Sequence, residues 1–211
     1  MKKMFLVLFV FSLNVLINGQ LMSNYGVKVG YGITNHSWEN PSTDFKLDWD
    51  NNTGIAVKVF ADMGIPVLSF LQVEGELGYA KKGASYEVEY TTVDRPDGNG
   101  LYRTMNDHLD YLTLSLLAKV KFSPGMFSPY LIAGPEYNYL LNQKSDLDPA
   151  GIYKLKKSAF GLSAGVGSEI KLLLISVLVE YRYSWDLSDN SSVTGLNVKN
   201  YSHTFLVGIK L

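Results

Sequence analysis

The sequence predicts an all-β fold, an eight-stranded antiparallel transmembrane β-barrel. Three observations predict it. Hydrophobic residues recur at every second position through eight segments, and the connections between these segments alternate between short and long. Beyond residue 20 no uninterrupted apolar run exceeds four residues, whereas a membrane-spanning helix needs ~20. The hydrophobic residues are therefore arranged for strands and not for helices.

Composition and charge narrow the class of protein. The 211 residues are 46% hydrophobic and 18% charged, which fits one folded domain and excludes a disordered chain. The formal net charge is −1, so the surplus of Lys and Arg that a nucleic-acid binder needs is missing. The absence of Cys excludes a disulfide scaffold, a thiolate zinc site and a Cys nucleophile.

The N-terminus has the pattern of a secretory signal peptide. Lys2 and Lys3 precede an almost wholly apolar stretch, residues 4–17, which ends at small and polar residues. An N-terminal membrane anchor is the alternative, but 14 apolar residues fall short of the ~20 that span a bilayer as a helix. We expect cleavage after Gly19, which leaves residues 20–211 as a single barrel domain.

Each strand is predicted from a face of large apolar residues opposite a face of small or polar ones. Successive strand side chains point to opposite faces, so this alternation is typical of a β-strand with one apolar side. The apolar faces, in chain order, are Tyr25, Val27, Val29, Tyr31 and Ile33; Ile55, Val57, Val59 and Ala61; Leu71, Val73, Leu77 and Tyr79; Leu112, Leu114, Leu116, Ala118, Val120 and Phe122; Leu131, Ala133, Tyr137 and Tyr139; Phe160, Leu162, Ala164, Val166 and Ile170; Val177, Val179, Tyr181, Tyr183 and Trp185; Phe205, Val207, Ile209 and Leu211.

The connections between the strands strictly alternate in length. Short connections lie around residues 64–67, 123–128 and 172–174, and long polar ones cover roughly 36–52, 83–107, 143–156 and 188–200. Outer-membrane barrels alternate short periplasmic turns with long extracellular loops in this way. An eight-stranded soluble barrel is the structural alternative. It would point its apolar faces inward, but here the polar faces carry the small residues that suit a crowded lumen.

Residues 110–141 carry a more specific signal. Pro129, Tyr130 and Leu131 are followed by Gly134 and Pro135, and the hairpin resembles that of the outer-membrane beta-barrel domain family, the porin-like or PorT-like small barrels. Ser115 departs from that pattern, because the family often has Pro there, and the departure concerns local strand shape.

The resemblance implies an eight-stranded outer-membrane barrel of the small OmpA/OmpX type and brings no catalytic residues. It implies a location in the outer membrane of a Gram-negative bacterium after signal-peptide cleavage. The expected partners are outer-membrane lipids, lipopolysaccharide and the barrel-assembly machinery, with no nucleic acid.

The polar faces predict a lumen filled by paired charges. An eight-stranded barrel is just wide enough for its own side chains, and these faces carry nearly balanced charge. Pairing across the turn at residues 64–67 predicts Lys58 opposite Glu74 or Glu76, and we expect these carboxylates to contact Lys58 and neighbours such as Arg182 inside the barrel. The predicted ion-pair network comprises Lys28, Lys58, Glu74, Glu76, Lys119, Glu136, Glu169, Glu180 and Arg182. A narrow selective conduit through the same charges is the alternative.

Aromatic residues near the strand ends predict a girdle at the two membrane interfaces. The predicted girdle residues are Trp38, Trp49, Trp185, Phe122, Phe127 and Tyr130. An aromatic ligand-binding cluster at the barrel mouth would use the same residues.

No catalytic or metal site is predicted. His36 with Ser37, and His203 with Ser202, are neighbours in strand-like segments, so each pair points to opposite faces and cannot form a Ser–His pair. The acids around residues 48–54 imitate a calcium loop, but position twelve is Val59 and not Glu. His108 and Asp110 share a face, where an acid could orient an imidazole base, but two solvated residues above the bilayer are the simpler interpretation.

The predicted function is non-enzymatic, needs no cofactor, and belongs to the cell envelope. A barrel with long extracellular loops and a lumen filled by its own side chains fits a closed or barely conducting protein. A small-solute channel and an accessory barrel of a secretion system are the alternatives. The sequence names no ligand.

Overall fold

The computed structural model of the chain describes residues 22–40, 45–48, 50–65, 67–89, 100–122, 125–146, 155–191 and 197–211. The predicted signal peptide, residues 1–19, lies outside the described residues. Within the described ranges no helix is long and apolar enough to cross a membrane.

The described part of the chain is built of β-strands. Their bounds are β1 Met22–Asn40, β2 Phe45–Asp48, β3 Asp50–Ile65, β4 Leu68–Glu89, β5 Tyr102–Lys121, β6 Phe127–Ser145, β7 Ser158–Lys171, β8 Ser176–Asp186 and β9 Asn197–Lys210. The eight long strands pair antiparallel with one another in the order β1, β3, β4, β5, β6, β7, β8 and β9.

The first and last strands close the ring. β1 pairs antiparallel with β9 from Gly26 opposite Lys210 to Glu39 opposite Asn197. The short β2 pairs with the end of β1, where Ser37 lies opposite Asp48, so it prolongs the β1–β3 hairpin. The barrel therefore has eight strands, as the sequence predicted.

The two faces of the barrel wall are the reverse of those in a soluble protein. The large apolar side chains point outward, and Tyr25 and Tyr31 are 61% and 56% exposed. Charged side chains such as Lys28 and Glu74 point inward and have no exposed surface. A soluble barrel would have the opposite arrangement, so the prediction of a transmembrane barrel is confirmed.

Several strands are longer than the apolar alternation indicated. β4 has 22 residues and β5 has 20, whereas ~9–11 tilted residues cross a bilayer. The extra residues lie at the long-loop end, where β4 and β5 stay paired as far as Glu89 opposite Tyr102. Backbone pairing continues there through polar residues, so hydropathy underestimates strand length and overestimates loop length.

The predicted register of Lys58 is wrong. Lys58 lies opposite Gly78, and Glu76 and Glu74 lie opposite Phe60 and Asp62. The reason is an irregularity beside the turn: Ile65 pairs with Leu68, but the next pair is Gly64 with Gln72. The extra β4 residues shift all the following pairs.

Candidate functional site: the charged barrel interior

The centre of the lumen is occupied by Lys28 and three glutamates. Lys28 Nζ lies 2.5 Å from Glu74 Oε1, 3.0 Å from Glu76 Oε1 and 3.0 Å from Glu180 Oε2. All four side chains are buried. A charge buried in this way is costly unless it is paired and hydrogen-bonded, and here one ammonium group pairs with carboxylates from two different strands, β4 and β8.

Arg182 of β8 completes this central cluster. Its Nη1 and Nη2 atoms lie 2.5 Å from Glu76 Oε2 and 3.1 Å from Glu76 Oε1, a two-pronged geometry that the planar guanidinium favours. Arg182 also forms an ion pair with its near neighbour Glu180. The cluster therefore links β1, β4 and β8 across the interior.

Further ion pairs extend the cluster toward the short-turn end. Lys119 Nζ lies 2.7 Å from Glu74 Oε2 and 3.6 Å from Asp62 Oδ1. Asp62 in turn lies 3.7 Å from Lys210 Nζ. Lys210 and Lys121 each lie 2.5 Å from Glu169. The charges form one continuous chain down to the barrel mouth.

The network also extends toward the long-loop end. Lys58 Nζ lies 3.1 Å from Glu76 Oε2 and 3.8 Å from Glu136 Oε2, and Glu136 accepts a hydrogen bond from Lys82 at 3.2 Å. The connected network thus contains all nine residues named from the sequence, together with Asp62, Lys82, Lys121 and Lys210.

Lys82 is absent from the predicted network because the apolar alternation of its strand ends at Tyr79. It has the same parity as Glu74 and Glu76, and β4 continues without interruption to Glu89. Extending the alternation by three residues would have identified it.

Glycines make room for the lysine stems. A Cβ added to Gly78 would come 2.6 Å from Lys58 Cγ, and one added to Gly208 would come 2.9 Å from Lys28 Cγ. Gly78 and Gly208 lie directly opposite those lysines on the neighbouring strands. The inward faces thus need small residues opposite the lysines, because the long lysine side chains leave no space for a larger neighbour.

Tyr130 was expected in the aromatic girdle, and that expectation is wrong. Its side chain is fully buried in the interior, where its hydroxyl donates to Glu180 Oε2 at 2.9 Å. Lys119 Nζ lies 4.5 Å from the centre of the ring, a cation–π contact. Tyr130 has the parity of the inward-facing Glu136, so its strand position decides its face despite its place near the rim.

The other girdle residues differ in how they are placed. Phe122 and Phe127 are exposed on the outer surface at the short-turn end. Trp185 lies near the end of β8 toward the long loops, and its ring stacks on Tyr183 with 5.4 Å between centroids. Trp49 and the side chain of Trp38 lie outside the described residues.

The long-loop end of the interior is covered. An apolar cluster of Leu109, Tyr111, Leu140, Leu155 and Val198 lies there, and Leu155 comes from the connection between β6 and β7. Below it, Asp186 accepts hydrogen bonds from the Asn190 and Asn200 amides at 2.5 and 2.8 Å.

A salt bridge ties two long connections together over this cluster. Lys156 Nζ lies 2.7 Å from Asp189 Oδ2, and the Ser191 and Val198 amides each donate to Asp189 Oδ1 at 2.9 Å. Partial burial alone would raise the pKa of Asp189, but these hydrogen bonds and the Lys156 charge hold it below its ordinary value of 3.8. The carboxylate therefore stays ionised at neutral pH.

The cavities show how far the lumen is filled. A cavity of about 330 Å³ opens at the short-turn end, lined by Lys121, Glu169, Lys171 and Lys210 among others. Beside Lys58, Glu136 and Arg182 an interior cavity measures about 20 Å³, close to the volume that one water needs.

The three histidines lie in β1, β5 and β9, toward the long-loop ends of those strands. His203 Nδ1 lies 2.6 Å from the Tyr181 hydroxyl, while Ser202 is buried on the other face. Asp110 accepts hydrogen bonds from Tyr79 and Asn142 at 2.6 and 3.1 Å. Across the described ranges, no group of three or more His, Cys, Asp or Glu residues is placed to hold a metal ion.

Comparison with known proteins agrees with this architecture. Residues 17–192 match the family model described as outer membrane protein beta-barrel domain. The outer membrane protein OprG from Pseudomonas aeruginosa is 14% identical over 92% of this chain and 98% of its own, with a TM-score of 0.50. Neisserial surface protein A is 14% identical over 88% and 96%, with a TM-score of 0.46. No curated protein matches the sequence.

Proposed function

This chain belongs to the outer membrane protein beta-barrel domain family, and on that premise we propose that it is a non-enzymatic, non-conducting barrel of the Gram-negative cell envelope. Its long loops face the cell exterior, its lumen is closed by its own paired charges, and residues 1–19 are removed as a signal peptide. Membrane lipids, lipopolysaccharide and the barrel-assembly machinery are its proposed partners.

The observation that carries the proposal is the continuous ion-pair network across the barrel. Arg182 and Glu76 come from strands on opposite walls and meet in the middle. An interior cavity lined by Arg182 is about 20 Å³, too small for a hydrated ion. Opening a path would mean separating buried ion pairs, at a cost of several kcal/mol per uncompensated charge.

Single-channel recording in planar bilayers tests the proposal. Heat-modifiable electrophoretic mobility first establishes that the purified protein has folded as a barrel. We expect no unitary conductance steps from the wild-type protein. A reproducible unitary conductance that changes in Lys58→Gln would overturn the closed-lumen proposal and favour the small-solute channel.

Two further measurements address the remaining alternatives. An accessory barrel of a secretion system predicts that deletion abolishes the export of other proteins while conductance stays absent. An enzyme predicts a phospholipase or protease activity of the purified barrel that is lost in His108→Ala. The non-enzymatic proposal expects neither activity. It is supported by the hydrogen bonds that Tyr79 and Asn142 donate to the Asp110 carboxylate, because Asp110 is the acid that would otherwise orient His108 as a base.

A further inference from the structure

The outer wall of the barrel carries a row of rings near the long-loop end of β8 and β9. The Tyr183 ring lies between those of Trp185 and His203, with centroids 5.4 and 4.8 Å away. The Tyr181 ring follows, 6.1 Å from His203. These separations are typical of interacting rings. The four residues, here called the aromatic row, all lie on the outward faces of their strands and so form one continuous surface toward the membrane.

His203 brings a polar group into this lipid-facing row. The Tyr181 hydroxyl lies 2.6 Å from His203 Nδ1, and when that hydroxyl donates, neutral His203 carries its proton on Nε2. Among the residues that the structure describes, only the Nδ1 atom of this ring has a hydrogen-bond partner. A donor facing hydrocarbon without an acceptor is costly. The position therefore favours a lipid that brings an oxygen atom to Nε2.

Lys199 adds a positive charge on the same outward face, toward the long loops. Its side chain is exposed and it lies opposite Ser37 of β1. In the described part of the chain, no carboxylate lies within 4.0 Å of Lys199 Nζ. The acids at the end of β8 are engaged elsewhere, because Asp186 is buried inside the barrel and Asp189 pairs with Lys156. The ammonium group of Lys199 is thus open to an anion from the membrane.

The height of Lys199 on the barrel matches the membrane surface. Phe205, Val207 and Ile209 form the exposed apolar face of the same strand. A tilted barrel strand climbs ~2.5 Å per residue along the membrane normal. Lys199 therefore lies ~25 Å from Ile209, at the edge of an apolar band that is ~25 Å tall. The aromatic row lies just inside this edge and Lys199 just outside it, at the depth of lipid phosphates.

We propose that this wall binds lipid A, the phosphorylated glycolipid of lipopolysaccharide. Lys199 pairs with a phosphate, Trp185 and Tyr183 pack against the sugar and the first part of an acyl chain, and His203 Nε2 donates to an acyl carbonyl oxygen. The assignment rests on the proposed orientation, with the long loops outside, because lipopolysaccharide occupies the outer leaflet. Lipid A carries several chains on a sugar backbone and can contact Lys199 and the aromatic row together, whereas a phospholipid is narrower.

Native mass spectrometry of the folded protein in a neutral detergent tests the charged part of the site. The protein is mixed with equal amounts of bisphosphorylated lipid A and its dephosphorylated form, and the ratio of the two bound lipids is measured. We expect the phosphorylated form to be retained preferentially, and Lys199→Gln to lower that preference about fivefold, the ratio equivalent to ~1 kcal/mol per basic residue at an anionic surface. Lys144→Gln, an exposed lysine at the long-loop end of β6, is the matched control and should leave it unchanged.

The uncharged part of the site is tested separately. Trp185→Leu and His203→Phe should each reduce the retention of both forms of lipid A while the preference for phosphate remains. Tyr139→Leu, an outward aromatic residue of β6, is the control and should have no effect. Heat-modifiable mobility first establishes that every variant has folded.

Several outcomes would overturn the proposal. They are equal retention of the two forms by the wild-type protein, equal effects of Lys199→Gln and Lys144→Gln, unchanged retention in His203→Phe, and phosphatidylglycerol bound as tightly as lipid A. None of these measurements depends on conductance, so the closed-lumen proposal fails or stands separately.

Discussion

Arg182 on β8 binds both carboxylate oxygens of Glu76 on β4, at 2.5 and 3.1 Å. These strands lie four positions apart in a ring of eight, so the pair spans the lumen from opposite walls. The residues are 106 apart in sequence. The contact therefore both fills the barrel and fixes its cross-section.

Arg182→Gln should strongly destabilise the barrel. The substitution leaves Glu76 and Glu180 without their guanidinium partner inside a buried site, and breaking a buried pair on one side costs ~3–5 kcal/mol. Urea unfolding in lipid vesicles, followed by heat-modifiable mobility, measures the change. Lys156→Gln is the control: its salt bridge with Asp189 is partly exposed, so the expected loss is below ~1 kcal/mol. Similar losses in the two variants would contradict the assigned role of the central cluster.

Tyr130→Phe should lower the free energy of unfolding by ~1.5–3 kcal/mol. It removes the hydrogen bond to the Glu180 carboxylate and keeps the ring over which Lys119 lies. Tyr137→Phe, on the outward face of the same strand, should change stability by less than ~0.5 kcal/mol. The same urea unfolding assay measures both changes. Equal losses of stability in the two variants would contradict the position of Tyr130 inside the barrel.

Gly78→Ala should destabilise the barrel by ~1–3 kcal/mol through overpacking. The new methyl group would lie 2.5 Å from the Val57 carbonyl oxygen and 2.6 Å from Lys58 Cγ. Gly75→Ala, three residues earlier on β4, is the matched control, because a Cβ there meets nothing within 4 Å. An unchanged urea midpoint for Gly78→Ala would show that the lysine stem can move aside.

The link between the long connections should weaken at acid pH. The pKa of Asp189 is lower in the folded protein than its ordinary value of 3.8, so its contribution is complete above that value and is lost as pH falls through the folded pKa. Hydrogen exchange of the Ser191 and Val198 amides, corrected for intrinsic rates, should show less protection at pH 3 or below than at pH 5. Asp189→Asn should make protection independent of pH across this range. If protection in the wild-type protein were equally independent of pH, the Asp189 carboxylate would not be the acceptor that protects these two amides.

The faces of the strands were predictable because the side-chain period of a strand is two, and a barrel in lipid separates apolar from polar residues with that same period. Tyr25 points outward and Lys28 points inward, as this rule predicts. Lys82 and Tyr130 follow it as well. Lys82 lies beyond the end of the apolar alternation, and Tyr130 lies near the rim, so neither position was predicted from the alternation alone.

The register of Lys58 was not predictable in the same way. It depends on the irregularity between Gly64 and Ile65, which alters the pairing without altering the polar or apolar character of the sequence. Nothing in the alternation records how many residues a bulge takes up. The same holds for Leu155, whose burial over the long-loop end depends on how two long connections fold together.

The amino-acid sequence by itself determined the kind of protein: alternation fixes which side chains face lipid, and the alternation of loop lengths fixes the up-and-down order of eight strands. The sequence also predicted that Glu74 or Glu76 meets Lys58 and Arg182 in the lumen, but only the tertiary structure decided the full set of partners and the register that brings them together. Arg182 reaches Glu76, and Lys28 reaches Glu180, because closing the ring brings distant strands face to face across the lumen. Those distances depend on bulges and register, which leave no periodic trace in the chain.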